Sequence, residues 1–293
     1  AARGKGIHVK LAQKPNIYPF REFLLKGRPD SPPVEGDQLN PEDAAVVQYT
    51  SGKTGLPKGV LLTHKNLVAN ILQVSAWFNH LRKGREVFFS ILPGHQALGM
   101  TLAVNLPIYL AAGSIHMPRF DPIQFLNTVK AQKPSAFPAH PAMIESLVWN
   151  PTLTKHGISS IHTYWSVGPS LPPEVLENYE GKTGRRINEG YGLTEASPLT
   201  HMNPFLGNRK PKSMGIPLPD TDARIVDPKD GKTELPAGKT GELIIRGPQV
   251  MRGYWNRPEE TALALREGWL HTGDLAWMDE DGFFYYMDKM KKQ

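Results

Sequence analysis

Short apolar runs alternate with segments of helical spacing through the middle of the chain. The runs are four to six residues long, as buried strands are, and lie at 44–49, 59–62, 87–92, 135–138 and 163–167. Between them, apolar residues recur every three or four positions, which predicts a helix opening near Thr63 and others at 122–131, 141–148 and 173–179. Strands that alternate with helices predict a layered α/β domain with a mostly parallel sheet.

The pattern changes on both sides of this region. Five prolines break every longer period in the first forty residues, which we interpret as an irregular lead-in segment. After about Met214, Gly, Pro and Asp turns separate short alternating runs at 223–226, 242–246 and 283–287. We therefore predict four parts: a lead-in at 1–40, an α/β subdomain at 41–214, a small β-barrel-like subdomain at 215–287 and a charged stub at 288–293.

Composition narrows the class of protein. The formal charge is +6, but residues 1–40 carry +3 and 288–293 carry +2, so the interior lacks the basic density of a nucleic-acid groove. The absence of Cys excludes disulfides, thiolate metal sites and a Cys nucleophile.

No segment of the chain reads as a membrane span or a secretion signal. The longest apolar stretch, 101–115, contains Asn105 and Pro107 and is shorter than the ~20 residues of a membrane span, so it predicts a buried helix and a following strand. We expect a cytoplasmic protein with at most peripheral membrane contact and no nucleic-acid partner.

The segment 49–59, which reads YTSGKTGLPKG, is the richest in phosphate-binding groups. Between two predicted strands it places glycines, hydroxyls and two lysines, which can surround phosphate oxygens with N–H groups and cations. Its GKT letters match the end of a P-loop, but Val47 stands where that motif needs its first glycine. We therefore predict a phosphate-binding loop of another kind.

Three separated motifs together resemble the adenylate-forming acyl-CoA synthetases, a family that includes fatty-acid–CoA ligases, luciferases and peptide-synthetase adenylation domains. The first is the loop at 49–59, which departs from the family pattern at Lys53. The second is NEGYGLTE at 188–195. The third runs from GEL at 241–243 through GYW at 253–255 to TGD at 272–274. Their order and spacing also fit, and the chain is most similar to a fatty-acid–CoA ligase.

The resemblance implies a site for ATP and Mg²⁺. The Tyr191 ring suits stacking on adenine, the Glu195 carboxylate suits Mg²⁺ held with phosphates, and Asp274 would accept hydrogen bonds from both ribose hydroxyls. The expected nucleotide-binding residues are Thr50, Ser51, Gly52, Lys53, Thr54, Gly55, Gly168, Pro169, Ser170, Gly190, Tyr191, Gly192, Asp274 and Lys289. Catalytic roles are expected for Lys58, Thr194 and Glu195, and Mg²⁺ ligation for Thr50 and Glu195.

Several positions depart from the family pattern. Lys53 replaces a Thr and brings a charge that either pairs with phosphate or competes with Mg²⁺. Lys289 replaces an Arg, so a forked guanidinium becomes a point charge. His95 and Gln96 stand where the family has an aromatic and a His beside the acyl carboxylate. Their effect on activity stays open.

The family reaction joins a carboxylic acid to the α-phosphorus of ATP, releases pyrophosphate, and transfers the acyl group to a thiol, usually that of coenzyme A. The segment ASPLTHMNP at 196–204 resembles the fatty-acyl branch, which favours medium- to long-chain fatty acids over the alternative, an aryl acid. The chain resembles the middle of a family member, so we expect 288–293 to lead to an absent C-terminal domain and this polypeptide alone to lack full turnover. A binding module without turnover is the other reading, and the failed motif spacing leaves little support for a P-loop ATPase.

Overall fold

A computed structural model describes residues 39–50, 57–153 and 158–290. Its strands are β1 Ala44–Thr50, β2 Lys58–Thr63, β3 Val87–Ser90, β4 Gly113–His116, β5 Ala136–Ala139, β6 Thr163–Val167, β7 Ile187–Gly192, β8 Leu199–Met202, β9 Ile216–Pro217, β10 Asp222–Val226, β11 Gly241–Arg246, β12 Gly253–Tyr254, β13 Leu265–Arg266, β14 Trp269–Met278 and β15 Phe284–Lys289. Its α-helices are α1 His64–Trp77, α2 Ala97–Gly99, α3 Leu106–Tyr109, α4 Pro122–Gln132, α5 Pro141–Val148, α6 Pro173–Thr183 and α7 Pro258–Ala264.

Seven strands form the largest sheet, in the order β4-β3-β5-β6-β7-β8-β9. The five strands β3 to β7 run parallel to one another, and β8 and β9 add an antiparallel edge next to β7. Parallel neighbours need a crossover connection, which α4, α5 and α6 supply between successive strands. The predicted α/β class with a mostly parallel sheet is confirmed.

Helices cover both faces of this sheet. Successive strand residues point to opposite faces, so Phe88 and Trp165 pack with α1 and the helical region before β4, whereas Phe89 and Tyr164 pack with α4, α5 and α6. All four of these aromatic side chains are fully buried. The core is therefore two apolar layers separated by the sheet, which explains the continuous apolar runs in the sequence.

The apolar stretch at 101–115 forms a helical region followed by β4, as predicted, but only one face of the helical region is buried: Leu102 and Leu106 are inside, whereas Ile108 is exposed. A π-helical segment, Met100–Asn105, lies between α2 and α3 and was not predicted from the sequence. Pro107 lies in the first turn of α3, where a missing backbone N–H is tolerated.

Helix α1 has a polar face that is buried. Thr63 caps its start, accepting from the Asn66 N–H at 3.2 Å while the Asn66 side chain accepts from the Thr63 N–H at 3.0 Å. The same Asn66 amide donates to the Val250 carbonyl at 2.8 Å, and the Asn70 amide donates to the Leu199 carbonyl at 2.7 Å. These bonds hold the segment before β12 and strand β8 against the helix.

Two further sheets in the described residues are antiparallel throughout. Strands β10-β11-β14-β13 form one sheet with β15 paired to β14, and β1-β2-β12 form another. The core of the first includes Ile225, Leu243 and Phe284, and Tyr191 joins it from the large sheet. The division of the chain at residues 214 and 287 and the barrel-like form stay predictions.

Candidate functional site

A cavity of about 330 Å³ lies at the carboxyl ends of β6 and β7, with one wall from β14 and β15. The carboxyl edge of a parallel sheet is where such folds form ligand crevices. The predicted nucleotide-binding residues that line it are Gly168, Pro169, Ser170, Gly190, Tyr191, Gly192, Asp274 and Lys289. The structure thus brings together parts of the chain that are more than one hundred positions apart in the sequence.

Two glycines lie at this edge for different reasons: Gly168 has a backbone conformation that favours glycine, and Gly190 packs closely against β8. Val167 pairs with Gly190 across β6 and β7, and Gly168 continues from β6 with φ +127°, in the region that favours glycine. A Cβ at Gly190 would stand 2.7 Å from the Met202 sulfur and 2.8 Å from the His201 carbonyl oxygen. A larger residue there would push β8 away and displace Tyr191.

Tyr191, Asp274 and Lys289, here called the Asp274 cluster, form one wall of the cavity. The Tyr191 hydroxyl donates to Asp274 Oδ2 at 2.5 Å, and Lys289 Nζ lies 2.6 Å from Asp274 Oδ1. Asp274 is 3% exposed, whereas the Lys289 side chain is 51% exposed. The ammonium thus reaches the carboxylate from the solvent side.

The two oxygens of Asp274 differ in their hydrogen bonding. Among the described residues, the buried Oδ1 is approached by the Lys289 ammonium alone, whereas Oδ2 accepts a hydrogen bond from the Tyr191 hydroxyl. Burial, and then the charge of Asp274, raise the pKa of Tyr191 well above its usual range, so the hydroxyl remains a donor. A ligand hydroxyl would therefore reach Oδ1 by displacing the Lys289 ammonium.

Ser166 and Glu189 also line the cavity and were not predicted as site residues. Glu189 is 6% exposed and its Oε1 accepts from the Leu171 N–H at 3.1 Å. Burial raises the pKa of Glu189, against hydrogen bonds from Leu171 and Lys212 that lower it. Ser166 lies next to the last residue of β6, and Glu189 lies in the middle of β7, where its pairing with Ser166 brings it to the cavity.

Lys58, Glu195 and Tyr254, here called the Glu195 cluster, form a second polar group. Glu195 lies in the 3-10 turn Thr194–Ala196, which is separated from β7 by Leu193 alone. The Tyr254 hydroxyl donates to Glu195 Oε1 at 2.9 Å, and Lys58 Nζ lies 4.8 Å from the centroid of the Tyr254 ring. Burial, and then the charge of Glu195, raise the pKa of the Tyr254 hydroxyl. The structure thus brings the predicted Lys58 and Glu195 to one tyrosine that had no predicted role.

The glycine-rich loop falls mostly outside the described residues. This holds for the predicted Ser51, Gly52, Lys53, Thr54 and Gly55. The positions on either side are described: Thr50 and Lys58 pair across β1 and β2. The predicted roles of the loop residues stay predictions.

A protein-only metal centre is absent from the parts of the chain that the structure describes, where no three His, Asp or Glu side chains converge to hold an ion. Mg²⁺ commonly takes one or two carboxylates together with substrate phosphates and water. Glu195 fits that mode, because only one of its two oxygens accepts a hydrogen bond from another described residue.

His95 and Gln96 do not line the cavity beside Asp274, and their effect on activity stays a prediction. His95 accepts from the Gln48 amide through its backbone carbonyl at 2.5 Å, and Gln96 precedes α2. A second cavity, of about 510 Å³, lies beside β12 and α7 and contains none of the predicted site residues. Its size alone therefore does not make it the better candidate.

Comparison with known proteins supports the resemblance given by the three motifs. Residues 6–255 match the family model described as AMP-binding enzyme. The chain belongs to this family. It is 42% identical over 286 residues to the long-chain-fatty-acid–CoA ligase of Bacillus subtilis, a match that covers 97% of this chain and 50% of that protein. It is 32% identical over 263 residues to 4-coumarate-CoA ligase 2 of Narcissus pseudonarcissus, covering 87% and 46%.

A solved structure agrees with the fold. The ATP-bound MatB of Rhodopseudomonas palustris matches with a TM-score of 0.80 and 32% identity, covering 86% of this chain and 49% of that one. The chain spans about half the length of the curated relatives it matches. Among the described residues, the helices are all too short or too polar to cross a membrane.

Proposed function

We propose that this chain supplies the nucleotide-binding part of an ATP-dependent acyl-CoA synthetase, which activates a fatty acid as its acyl-adenylate and transfers the acyl group to coenzyme A. The observation that supports this most is the cavity at the ends of β6 and β7, with its buried Asp274. The higher identity to the fatty-acid–CoA ligase favours a fatty acid, and the match to the 4-coumarate ligase keeps an aryl acid as the second candidate.

The Asp274 cluster would bind the nucleoside. An ionised carboxylate only accepts hydrogen bonds, so it can receive two ribose hydroxyls without a donor conflict. In this arrangement a hydroxyl would take the place of the Lys289 ammonium at Oδ1, and the exposed lysine would move toward the phosphates. The Tyr191 ring would stack on adenine.

The Glu195 cluster and the glycine-rich loop would hold the phosphates. Lys58 brings a cation to the end of the loop, the Thr194 hydroxyl would donate to a phosphate oxygen, and Thr50 and Glu195 would hold Mg²⁺. When bound, that ion supplies positive charge to the phosphate oxygens.

The first half-reaction requires little proton transfer from the protein. A substrate carboxylate oxygen bonds to the α-phosphorus while the bond to pyrophosphate breaks, so negative charge builds up on phosphorus and on the leaving group. The contribution of these residues is then positioning and fixed positive charge rather than acid–base chemistry. Coenzyme A would next displace AMP from the acyl-adenylate.

Exchange of pyrophosphate into ATP tests this function. We expect exchange that depends on an added carboxylic acid, with medium- to long-chain fatty acids ahead of aryl acids and acetate. The assay is run on this chain and on a chain extended to the length of its relatives, because this chain corresponds to about half of those proteins and the proposed activity is that of the whole protein. ATP hydrolysis without any carboxylic acid would contradict the proposal.

When exchange is slow, binding of a stable acyl-adenylate mimic distinguishes a fatty-acid ligase from an aryl-acid ligase. An acyl sulfamate of adenosine with a long alkyl chain should bind this chain more tightly than the same compound with an aryl or acetyl group, since mimics of bound intermediates gain from both subsites. ATP binding with no exchange in either chain would indicate a binding module without turnover. Tighter binding of the aryl mimic would favour the aryl-acid ligase.

A further inference from the structure

We propose that Tyr254 is a positioning residue that acts through Glu195, holding one carboxylate oxygen so that the other is presented to Mg²⁺ bound with the nucleotide phosphates. The inference rests on the proposed function and concerns a residue to which the sequence motifs assigned no role. It is carried by the contacts of Tyr254 with Glu195, Lys58 and the strands beside the glycine-rich loop.

The backbone fixes the place of the Tyr254 ring. Tyr254 pairs with Val60 across β12 and β2, and its N–H donates to the Thr261 hydroxyl at 2.8 Å. The next residue, Trp255, donates to the Gly59 carbonyl at 2.7 Å. These bonds hold the Tyr254 backbone beside β2, the strand that follows the glycine-rich loop, and from there the ring contacts Lys58 and Glu195.

The same segment also holds the backbone of Glu195. The Met251 N–H donates to the Glu195 carbonyl at 2.8 Å, and the Arg252 N–H donates to the Leu61 carbonyl at 3.1 Å. Residues 251–255 therefore join the turn that carries the carboxylate to strand β2. The hydroxyl bond from Tyr254 then fixes the side chain of Glu195 as well as its backbone.

The ring keeps opposite charges apart. Lys58 reaches the Tyr254 ring and the hydroxyl reaches Glu195, while no ion pair joins Lys58 to Glu195 within residues 39–50, 57–153 and 158–290. An ion pair between them would neutralise both groups. Separated by the ring, the ammonium remains available for phosphate and the carboxylate for a cation.

Calorimetric titration with ATP, in Mg²⁺ and in EDTA, tests this role. Tyr254→Phe keeps the ring and removes the hydroxyl, and a hydrogen bond to a charged group contributes enough for about a tenfold effect. In the parent chain, we expect ATP to bind more tightly in Mg²⁺ than in EDTA. Tyr254→Phe should reduce this gain in affinity about tenfold, and should change the dissociation constant in EDTA by less than about twofold. A purely structural role would change both titrations alike.

The chain offers a matched control. The Tyr285 hydroxyl also donates to a carboxylate, Asp279 Oδ2, at 3.1 Å, and Tyr285 and Asp279 are outside both cavities. Tyr285→Phe should leave the titrations in Mg²⁺ and in EDTA unchanged.

A double-mutant cycle with Glu195→Gln identifies the path of the effect. If Tyr254 acts through Glu195, adding Tyr254→Phe to Glu195→Gln should change the affinity in Mg²⁺ no further. Equal losses in both backgrounds would overturn the inference, as would ATP binding by the parent chain that ignores Mg²⁺, or failure of Tyr254→Phe to fold. Absence of ATP binding by the parent chain under either condition would instead overturn the proposed function.

Discussion

The Asp274 cluster and the Glu195 cluster are built from the same three side-chain types: a tyrosine, a carboxylate and a lysine. In the Asp274 cluster the carboxylate is almost completely buried, and the tyrosine and the lysine contact one oxygen each. In the Glu195 cluster the carboxylate is half-buried, the tyrosine contacts one oxygen, and the lysine lies against the tyrosine ring. The two clusters thus differ in the burial of the carboxylate and in whether the lysine contacts the carboxylate or the tyrosine ring.

That difference suggests two kinds of ligand. A buried carboxylate with a solvent-side ammonium suits neutral hydroxyl donors that replace the ammonium, since the carboxylate cannot remain buried without a partner. A half-buried carboxylate kept away from its lysine suits a hydrated cation. The predictions below separate the two clusters, beginning with the largest expected effect.

Removal of the Asp274 carboxylate should have the largest effect on nucleotide binding. Asp274→Ala deletes two proposed hydrogen bonds to a charged acceptor, so we expect about a hundredfold weaker ATP binding by calorimetry. The loss should be equal in Mg²⁺ and in EDTA, unlike that of a change in the Glu195 cluster.

Asp279 provides the control for this change. It also contacts a lysine and a tyrosine, with Lys210 Nζ at 2.6 Å and the Tyr285 hydroxyl at 3.1 Å, but it is not among the residues that line the cavity. Asp279→Asn should leave ATP affinity unchanged. A loss on Asp274→Ala that appeared only with Mg²⁺ would remove the distinction between the clusters.

Acid should destabilise the Asp274 side of the molecule through His201. This side chain is fully buried, pairs with Tyr191 across β7 and β8, and burial lowers its pKa to about 3. Since the unfolded chain titrates near 6.5, the native state binds fewer protons between those values, and its stability is full above about pH 6.5 and falls with pH below it.

The measurement is urea unfolding from pH 7 to pH 5 of the parent chain and of His201→Gln, so that the carboxylates, including Glu189 with its raised pKa, contribute to both chains alike. Each such histidine contributes a slope of at most about 1.4 kcal/mol per pH unit. His80 adds to the fall, because burial and then the neighbouring His162 lower its pKa to about 4. His201→Gln should reduce the slope, and an unchanged slope would show that His201 titrates normally.

Lys289 should give the smallest effect. Its side chain is half exposed, and in the proposed complex its ammonium leaves Asp274 and faces the phosphates from the solvent side, where a single screened charge contributes little. Lys289→Ala should therefore weaken ATP binding by less than about fivefold, and Lys289→Arg should restore it. Equilibrium titration of the two variants checks this. A loss as large as that of Asp274→Ala would mean that the lysine itself holds the nucleotide.

The spacing of apolar residues predicted much of the fold, because it depends only on neighbouring positions in the sequence. Helix α5 lies at the predicted 141–148, and β6 at the predicted 163–167. The π-helical segment Met100–Asn105 and the buried amide face of α1 were not predicted, because they depend on contacts with distant parts of the chain.

In the candidate site, too, the sequence predicted individual residues but not the contacts between distant ones. Motif letters indicated Tyr191, Asp274 and Glu195, and the structure places the first two in contact although they are 83 positions apart. No letter indicated that Tyr254 contacts Glu195 across 59 positions, since a Gly-Tyr-Trp segment is compatible with many local structures. The link depends on the pairing of β12 with β2, which only the folded chain shows.

A crystal structure of the chain with ATP and Mg²⁺ tests the central claim most directly. We predict adenosine in the cavity of about 330 Å³, with ribose hydroxyls within hydrogen-bond distance of Asp274 and the Lys289 ammonium displaced from Oδ1. Adenosine in the cavity of about 510 Å³ beside β12, with the contacts of Asp274 unchanged, would contradict it.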